Sequence, residues 1–539
     1  MNASVHDRLR RPVTPAEAGV HAYRAASRPA WMPAFAGMTR SVWPLRLSVA
    51  GIALLLAACA SGPPPEPALP PLPTAFANVP EDGQPGGEPA AAFWRGFQDP
   101  QLDALVTRAL EANFDLRIAV ARLREARALA RLADASLLPQ VNGTAGVGRV
   151  RDFIGPDNAL APGQTFYSVG LDVRWEADLF GRLSAERRAA QAQVRAGEAD
   201  TQALQLSLSA EVARGYFELR GLQERLRVSR AALQTQEAVL RLVQARQDVG
   251  RGTGLDTERA RALVQSTAAG VPVLEAALQR TRYRLAVLCG LPPTALDAEL
   301  EAQRPLPGLR SVALGGIGAP ESLLRRRPDI RAAELDVAAA AARVGVARAD
   351  LFPRITLGGT LGHNASRVGD LGDGSTYVYN LGAQLLWNLL DFGRVRAQIA
   401  AADARSEAAL RVYEATVLAA LEETEGALAS YTHTQQQAQH LFDAARAAEA
   451  AAAIARGRFE VGVIDFLAVL DAEREQLAAR DQLAQSQAGA AVALVAVYKA
   501  LAGGWGPAPE PSSAPSATSG AVGPGSVASG SRLPLQATR

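Results

Sequence analysis

Tyr167-Ser-Val-Gly-Leu-Asp-Val-Arg-Trp175 runs directly into Glu176-Ala-Asp-Leu-Phe180-Gly181-Arg182, and this junction decides the fold class. Its odd positions Tyr167, Val169, Leu171, Val173 and Trp175 are apolar, while Ser168, Gly170, Asp172 and Arg174 between them are polar or glycine. Side chains alternate across a strand, so the stretch predicts a β-strand with one apolar face. From Arg182 to Asp248 there is no proline, and only Gly197, Gly215 and Gly221 interrupt good helix formers. At 1.5 Å per residue that segment reaches roughly 100 Å, far beyond a globular helix.

The junction occurs twice. Trp387-Asn-Leu-Leu-Asp-Phe392-Gly393-Arg394 repeats it 212 residues later, counted from Phe180 to Phe392. Upstream, Asp115-Leu-Arg117 through Leu138-Pro139 parallels Asp329-Ile-Arg331 through Phe352-Pro353, and downstream Val249-Gly250 parallels Val461-Gly462. An internal two-fold repeat is therefore expected, each half running helix, strand pair, very long helix, tip, returning helix. The halves span about 91–300 and 301–502. The opening helices are expected at about 113–137 and 328–350, stopped by Pro139 and Pro353. Strand pairs follow at about 141–150 with 166–176, and at 354–363 with 377–388.

Such alternation fits a half-buried strand of a soluble sandwich as well as a transmembrane barrel strand. Strand number constrains the second reading. An open sheet in lipid leaves backbone groups unpaired at several kcal/mol each, and single-chain bacterial barrels need about eight strands. Four candidate strands therefore predict a barrel shared among copies of the chain, or no barrel.

The long helices, expected at about 182–248, 254–289, 394–458 and 465–502, require partners. Leu219, Leu226, Leu233 and Leu240 recur every seven residues, with Leu222 and Val243 at the companion spacing, a coiled-coil seam. Ser229 and Gln236 put polar side chains into that seam. Ala444–Ala455 allows close approach between helices.

Composition excludes much. With 56 basic and 54 acidic residues the net charge is +2, so no bulk field points to nucleic acid. Five scattered histidines offer no metal-ligand spacing, and no phosphate loop or hydrolase motif occurs, so neither a metal, another cofactor nor an enzyme activity is expected. Leu47–Ala58 is an apolar run too short to span a bilayer but suited to a signal peptide, and it ends at Cys59. Residues 1–37 read as an extension ahead of a start at Met38, 38–58 as the leader, 59–90 as a proline-rich tether and 503–539 as a disordered tail. Cys289 is expected to be a small buried apolar residue.

Leu56-Ala-Ala-Cys59 resembles a lipobox, and the lipobox, duplicated halves, WEADLFGR, WNLLDFGR, RRRPDIRAAE at 325–334 and VGVIDFLAVLDAER at 461–474 together resemble the TolC-like outer-membrane channel family. The likeness is greatest to its lipoprotein branch serving resistance-nodulation-division (RND) pumps. It implies an α+β membrane protein: a homotrimer sharing a 12-strand β-barrel in the outer membrane, four strands per chain, continued by a periplasmic helical tunnel. It implies a covalent lipid on Cys59, with sorting to the outer membrane since Ala60 rather than aspartate follows. It implies that Gly250, Thr253, Gly462 and Asp465 at the tips meet a periplasmic adaptor, and that Leu467, Asp471 and Asp256 form or hold the aperture. Ala468 stands where some relatives carry a second acid. The implied activity is passive exit of small molecules, opened by the adaptor and driven by an inner-membrane RND transporter. Thr253 and Asp465 also suit helix N-caps, whatever else they do. A channel for type I protein secretion and a coiled-coil lipoprotein without a pore are the alternatives.

Overall fold

The computed structural model describes residues 72–79, 92–150, 153–154, 159–160, 163–306, 317 and 319–502. The expected leader, Cys59, much of the tether and the tail lie outside the described residues.

After a 3-10 turn at Phe93–Phe97, the first half comprises α1 (Pro100–Ala112), α2 (Phe114–Ala135), β1 (Gln140–Val150), β2 (Gln164–Ala177), α3 (Arg182–Asp248) and α4 (Gly254–Leu288). The second comprises α5 (Pro320–Arg326), α6 (Pro328–Ala349), β3 (Arg354–Ala365), β4 (Tyr377–Leu386), α7 (Arg394–Glu460) and α8 (Phe466–Ala500). Both outgoing helices have 67 residues and both returning ones 35. The second half thus copies the long helices and long strands of the first, while the links differ: a short strand pair, Phe153–Ile154 with Ala159–Leu160, lies between β1 and β2, and 3-10 turns at Val368–Asp370 and Gly374–Thr376 lie between β3 and β4.

Several boundaries differ from expectation by one or two residues: β2 starts at Gln164, β3 runs on to Ala365, α7 runs on to Glu460 and α8 stops at Ala500. The opening helices stop at Ala135 and Ala349, ahead of Pro139 and Pro353, because short-range bonds such as Leu138 N–H to Ala135 O (3.0 Å) and Phe352 N–H to Ala349 O (3.1 Å) tighten the chain before each proline. β4 ends at Leu386, not 388, and Trp387 leaves the ladder to donate its indole N–H to Leu351 O (3.0 Å). Trp175 makes the matching bond to Leu137 O (2.9 Å) from within β2. α4 continues through Pro272, which is exposed and removes one helix donor.

Each strand joins a helix through a fixed local structure. Asp178 accepts from the N–H groups of Leu183 (3.0 Å) and Ser184 (2.8 Å), and Asp391 from those of Gly393 (3.1 Å) and Val395 (2.7 Å). These aspartates satisfy helix donors that otherwise lack partners. Burial pushes the Asp178 carboxyl up, but these bonds and Arg182 outweigh it and hold it below its ordinary value. The repeated motif is thus a helix start.

The four strands form one antiparallel sheet in the order β1-β2-β3-β4, so β2 and β3 join the two halves and β1 and β4 are open edges. Its apolar face is uncovered: Val169, Leu171 and Val173 are exposed while Ser168, Gly170 and Asp172 are half-buried. On β4, Leu381 is 85% exposed. A soluble sandwich buries this face against a second sheet, and no described element does so here.

Below the sheet the helices pack as neighbours in the order α2-α3-α6-α7, and toward the tips in the order α4-α3-α8-α7. The leucine seam of α3 turns inward, with Leu219, Leu226 and Val243 buried. About halfway along α3 the main core gathers Phe93, Phe97, Tyr216, Phe217 and Tyr498; Phe93 stacks on Tyr498 with centroids 5.4 Å apart. Cys289 is fully buried there, and burial pushes its thiol up to about 11.

Candidate functional site: the tips

Both hairpin tips are built alike. α3 and α7 end in a left-handed glycine, Gly250 (φ 73°) and Gly462 (φ 79°), a conformation in which a side chain is strained. The next residue closes the helix: Arg251 N–H bonds Arg246 O (2.8 Å) and Val463 N–H bonds Arg458 O (2.9 Å). The returning helices start on side-chain caps, as expected. Thr253 Oγ1 accepts from Asp256 N–H (3.2 Å), and Asp465 accepts from Ala468 N–H (3.1 Å). Asp256 does not complete a reciprocal capping box: its carboxylate instead accepts from the Thr253 hydroxyl (2.6 Å).

The two tips are held to one another. Arg246 of α3 donates to Glu460 O of α7 (2.7 Å) and lies over the Phe459 ring, 4.3 Å from its centroid. Beneath it, Val243, Ala260, Leu263, Phe459, Phe466 and Leu470 form a small apolar core drawn from all four helices. α8 presents one face to this core and the opposite face outward. On the outward face Leu467 (42% exposed) precedes the exposed Asp471 by one turn. The Asp471 carboxylate has no hydrogen bond or ion pair among the described residues. Asp256, half-buried and tied to Thr253, lies at the other tip.

Two residues here were missed in the sequence. Glu473 is buried (4% exposed), its carboxylate accepting from Arg456 of α7. It follows Phe466, Val469 and Leu470 at helical spacing, so the period of the apolar stripe would have turned it inward. Arg246 carries no such signal, because its partner is a backbone carbonyl of the other half. Around these groups the tip surface is apolar, with Val249, Leu255, Val461 and Val463 all more than half exposed.

The sequence pattern of the outer membrane efflux protein family matches residues 105–291 and again 319–503, once in each half. The chain belongs to the outer membrane efflux protein family. It is 36% identical over 466 residues to the pyoverdine export outer membrane protein OpmQ of Pseudomonas aeruginosa, covering 85% of this chain and 97% of that protein. It is 32% identical over 414 residues to the toluene efflux pump outer membrane protein TtgF of Pseudomonas putida, covering 76% and 84%. Among solved structures, the outer-membrane channel OprN superposes with a TM-score of 0.77 at 39% identity, covering 83% of this chain and 99% of that one. VceC of Vibrio cholerae gives 0.71 at 28%, covering 78% and 100%. This family member is accordingly an outer-membrane exit channel of an efflux system.

Proposed function

We propose that three copies close one barrel and one tunnel, that the tips receive a periplasmic adaptor, and that an inner-membrane RND transporter supplies the energy. The observation that carries this reading is the open four-stranded sheet with its apolar face outward, continued by 67-residue helices. Unpaired edge groups in lipid cost several kcal/mol each, so β4 of one copy must pair with β1 of the next. Three chains then supply twelve strands. The helix layer closes in the same step, because β1 follows α2 and β4 precedes α7, the two outer helices of that layer.

The internal repeat supports this closure. Where the halves meet, Phe180 stacks on Phe352 with centroids 4.8 Å apart. Their counterparts at the open edges, Phe392 (100% exposed) and Leu138 (63%), have no such cover. Joining copies as the halves are joined lays Phe392 of one copy on Leu138 of the next.

In that ring Leu467 narrows the aperture and Asp471 becomes three carboxylates that attract cations. Gly250, Thr253, Gly462 and Asp465, with the exposed tip valines, form the adaptor surface, since an apolar patch of this kind marks a docking site. The chain acts as a duct without catalysis of its own. Relatives named for pyoverdine and toluene support small-molecule cargo rather than secreted protein. Cys59 carries the lipid that tethers the N-terminus to the outer membrane.

Single-channel recording tests the reading. Purified protein is expected to conduct, and Asp471→Ala to raise closed-state conductance and reduce cation preference, most visibly at low salt. Unchanged conductance and selectivity across salt concentrations would remove Asp471 from the aperture, and wild-type protein that never conducts would overturn the channel.

A further inference from the structure

Gln236 of α3 lies in the coiled-coil seam and is 2% exposed, yet neither its amide oxygen nor its amide nitrogen has a hydrogen-bond partner. Leaving a buried polar group unpartnered forfeits its bonds to water with nothing in return, so such a side chain in a packed core requires an explanation. Beside it lies a cavity of about 10 Å³, lined by apolar side chains of α3, α4 and α8 and by Glu473 of α8. Glu473 is buried and receives Arg456 of α7 on one side. The cavity therefore sits where the α3–α4 hairpin meets the α7–α8 hairpin, inside the apolar core of the tips.

Its size is near the lower limit for one water, about 10–15 Å³ of room for the water's centre, and two polar side chains line it. We propose that this cavity is a hydration site in which a single ordered water joins Gln236 to Glu473 and bridges the two hairpins. The water satisfies the Gln236 amide and gives it a partner across the seam. The bridge also makes this contact inexpensive to open. When the hairpins part, the amide and the carboxylate exchange one water for many, whereas an apolar pair here would expose hydrocarbon. The polar layer thus lowers the cost of separating the tips within an otherwise apolar core. That consequence rests on the channel reading above, with opening taken as a parting of the α3–α4 and α7–α8 hairpins; the hydration of the cavity does not.

Two measurements on the full chain in detergent separate these parts. A crystallographic map at high resolution is expected to place one water within hydrogen-bond distance of both Gln236 and Glu473. A cavity without density, or a Gln236 amide bonded elsewhere, overturns the site. Gln236→Met keeps the side-chain length and removes the amide, and Gln236→Leu guards against a packing fault peculiar to methionine. Both are expected to slow amide hydrogen exchange around residues 236–243 and 466–473 about tenfold and to lower the frequency of channel opening. Exchange equal to or faster than wild type in both variants overturns the low-cost contact. Slower exchange with unchanged opening frequency overturns its part in opening. A wild-type protein that never conducts counts against the channel alone, with the map and the exchange data still deciding the site.

Discussion

Gly290 and Ala502 occupy the same place in the two halves, one at the end of α4 and one at the end of α8, and both are left-handed (φ 71° and 56°). A Cβ on Gly290 would lie 2.5 Å from the backbone oxygen of Ala112, so Gly290→Ala meets both strain and a clash. Left-handed geometry alone costs about 1–2 kcal/mol, and the clash adds to it. Thermal unfolding of the purified protein is expected to shift down for Gly290→Ala and slightly up for Ala502→Gly. Nearby, Arg327 of the RRRPDIRAAE motif binds Asp329 (2.7 Å), Glu423 (2.7 Å) and Ala500 O (3.2 Å), while Lys499, the chain's only lysine, binds Glu423 (2.8 Å). Burial pushes Asp329 and Glu423 up. For Asp329 the bond and charge of Arg327, and for Glu423 those of Lys499 and Arg327, outweigh burial and hold both carboxyls below their ordinary values. Groups with lowered folded pKa values bind protons more readily when unfolded, so their stabilisation is full above about pH 5 and fades as pH falls below about 4. Midpoints measured from pH 8 to pH 3 should show that loss, and Arg327→Gln should lower the neutral plateau and flatten the acid limb. An acid limb as steep as wild type would remove this cluster as its cause. The motif was legible in the sequence, but its role was not, because Arg327, Glu423 and Lys499 lie far apart along the chain.

At the scale of elements, the regular pieces were legible and the short ones were not. Period-two alternation located the four long strands but not the two-residue pair Phe153–Ile154 and Ala159–Leu160, and the proline-free run gave α3 its bounds, since both signals come from many residues acting alike. α1 and the 3-10 turn before it were missed, although Asp99 followed by Pro100 is a readable start: Asp99 accepts from Gln101 N–H (2.9 Å) and proline suits the first helical position. What alternation did not give is which way the apolar face points, since a sandwich and a barrel share the pattern. The exposure of Leu171 in the middle of β2 removes a sandwich within the described residues of one chain, and lipid is the cover for that face in the proposed barrel. Leu171→Arg is therefore expected to reduce the protein recovered in the outer membrane, as a basic residue facing the bilayer midplane costs about 2–4 kcal/mol. Asp172→Asn, on the opposite face, should leave recovery unchanged and alter conductance. Equal recovery of Leu171→Arg and wild type would mean that lipid does not cover this face.

For the whole molecule, the two halves of one chain already display the joint that copies would have to make. Within the chain, β2 pairs with β3, α3 packs on α6, and Phe180 stacks on Phe352. Between chains the same joint would consist of β4 with β1, α7 with α2, and Phe392 with Leu138. The aromatic ring at Phe392 is fully exposed in the single chain and sits on a left-handed backbone (φ 53°), a conformation with a cost that a covering neighbour offsets. Such a head-to-tail contact uses two different surfaces of each copy, so it closes into a ring only if the rotation per copy fits. Cysteines at the two positions test it, because Cys289 is fully buried and will not compete, and the sulfur of Cys59, the other native cysteine, is taken up in the thioether of the proposed lipid. The double variant Phe392→Cys with Leu138→Cys should form intermolecular disulfides under mild oxidation and run as dimers and trimers on non-reducing gels. Either single variant should run as a monomer. Phe392→Ser should weaken the oligomer in detergent, read as loss of native mass, whereas Phe180→Ser should lower the unfolding midpoint of the chain itself. Absence of cross-links in a double variant that still conducts would break the correspondence between the inner and outer joints and with it the proposed closure.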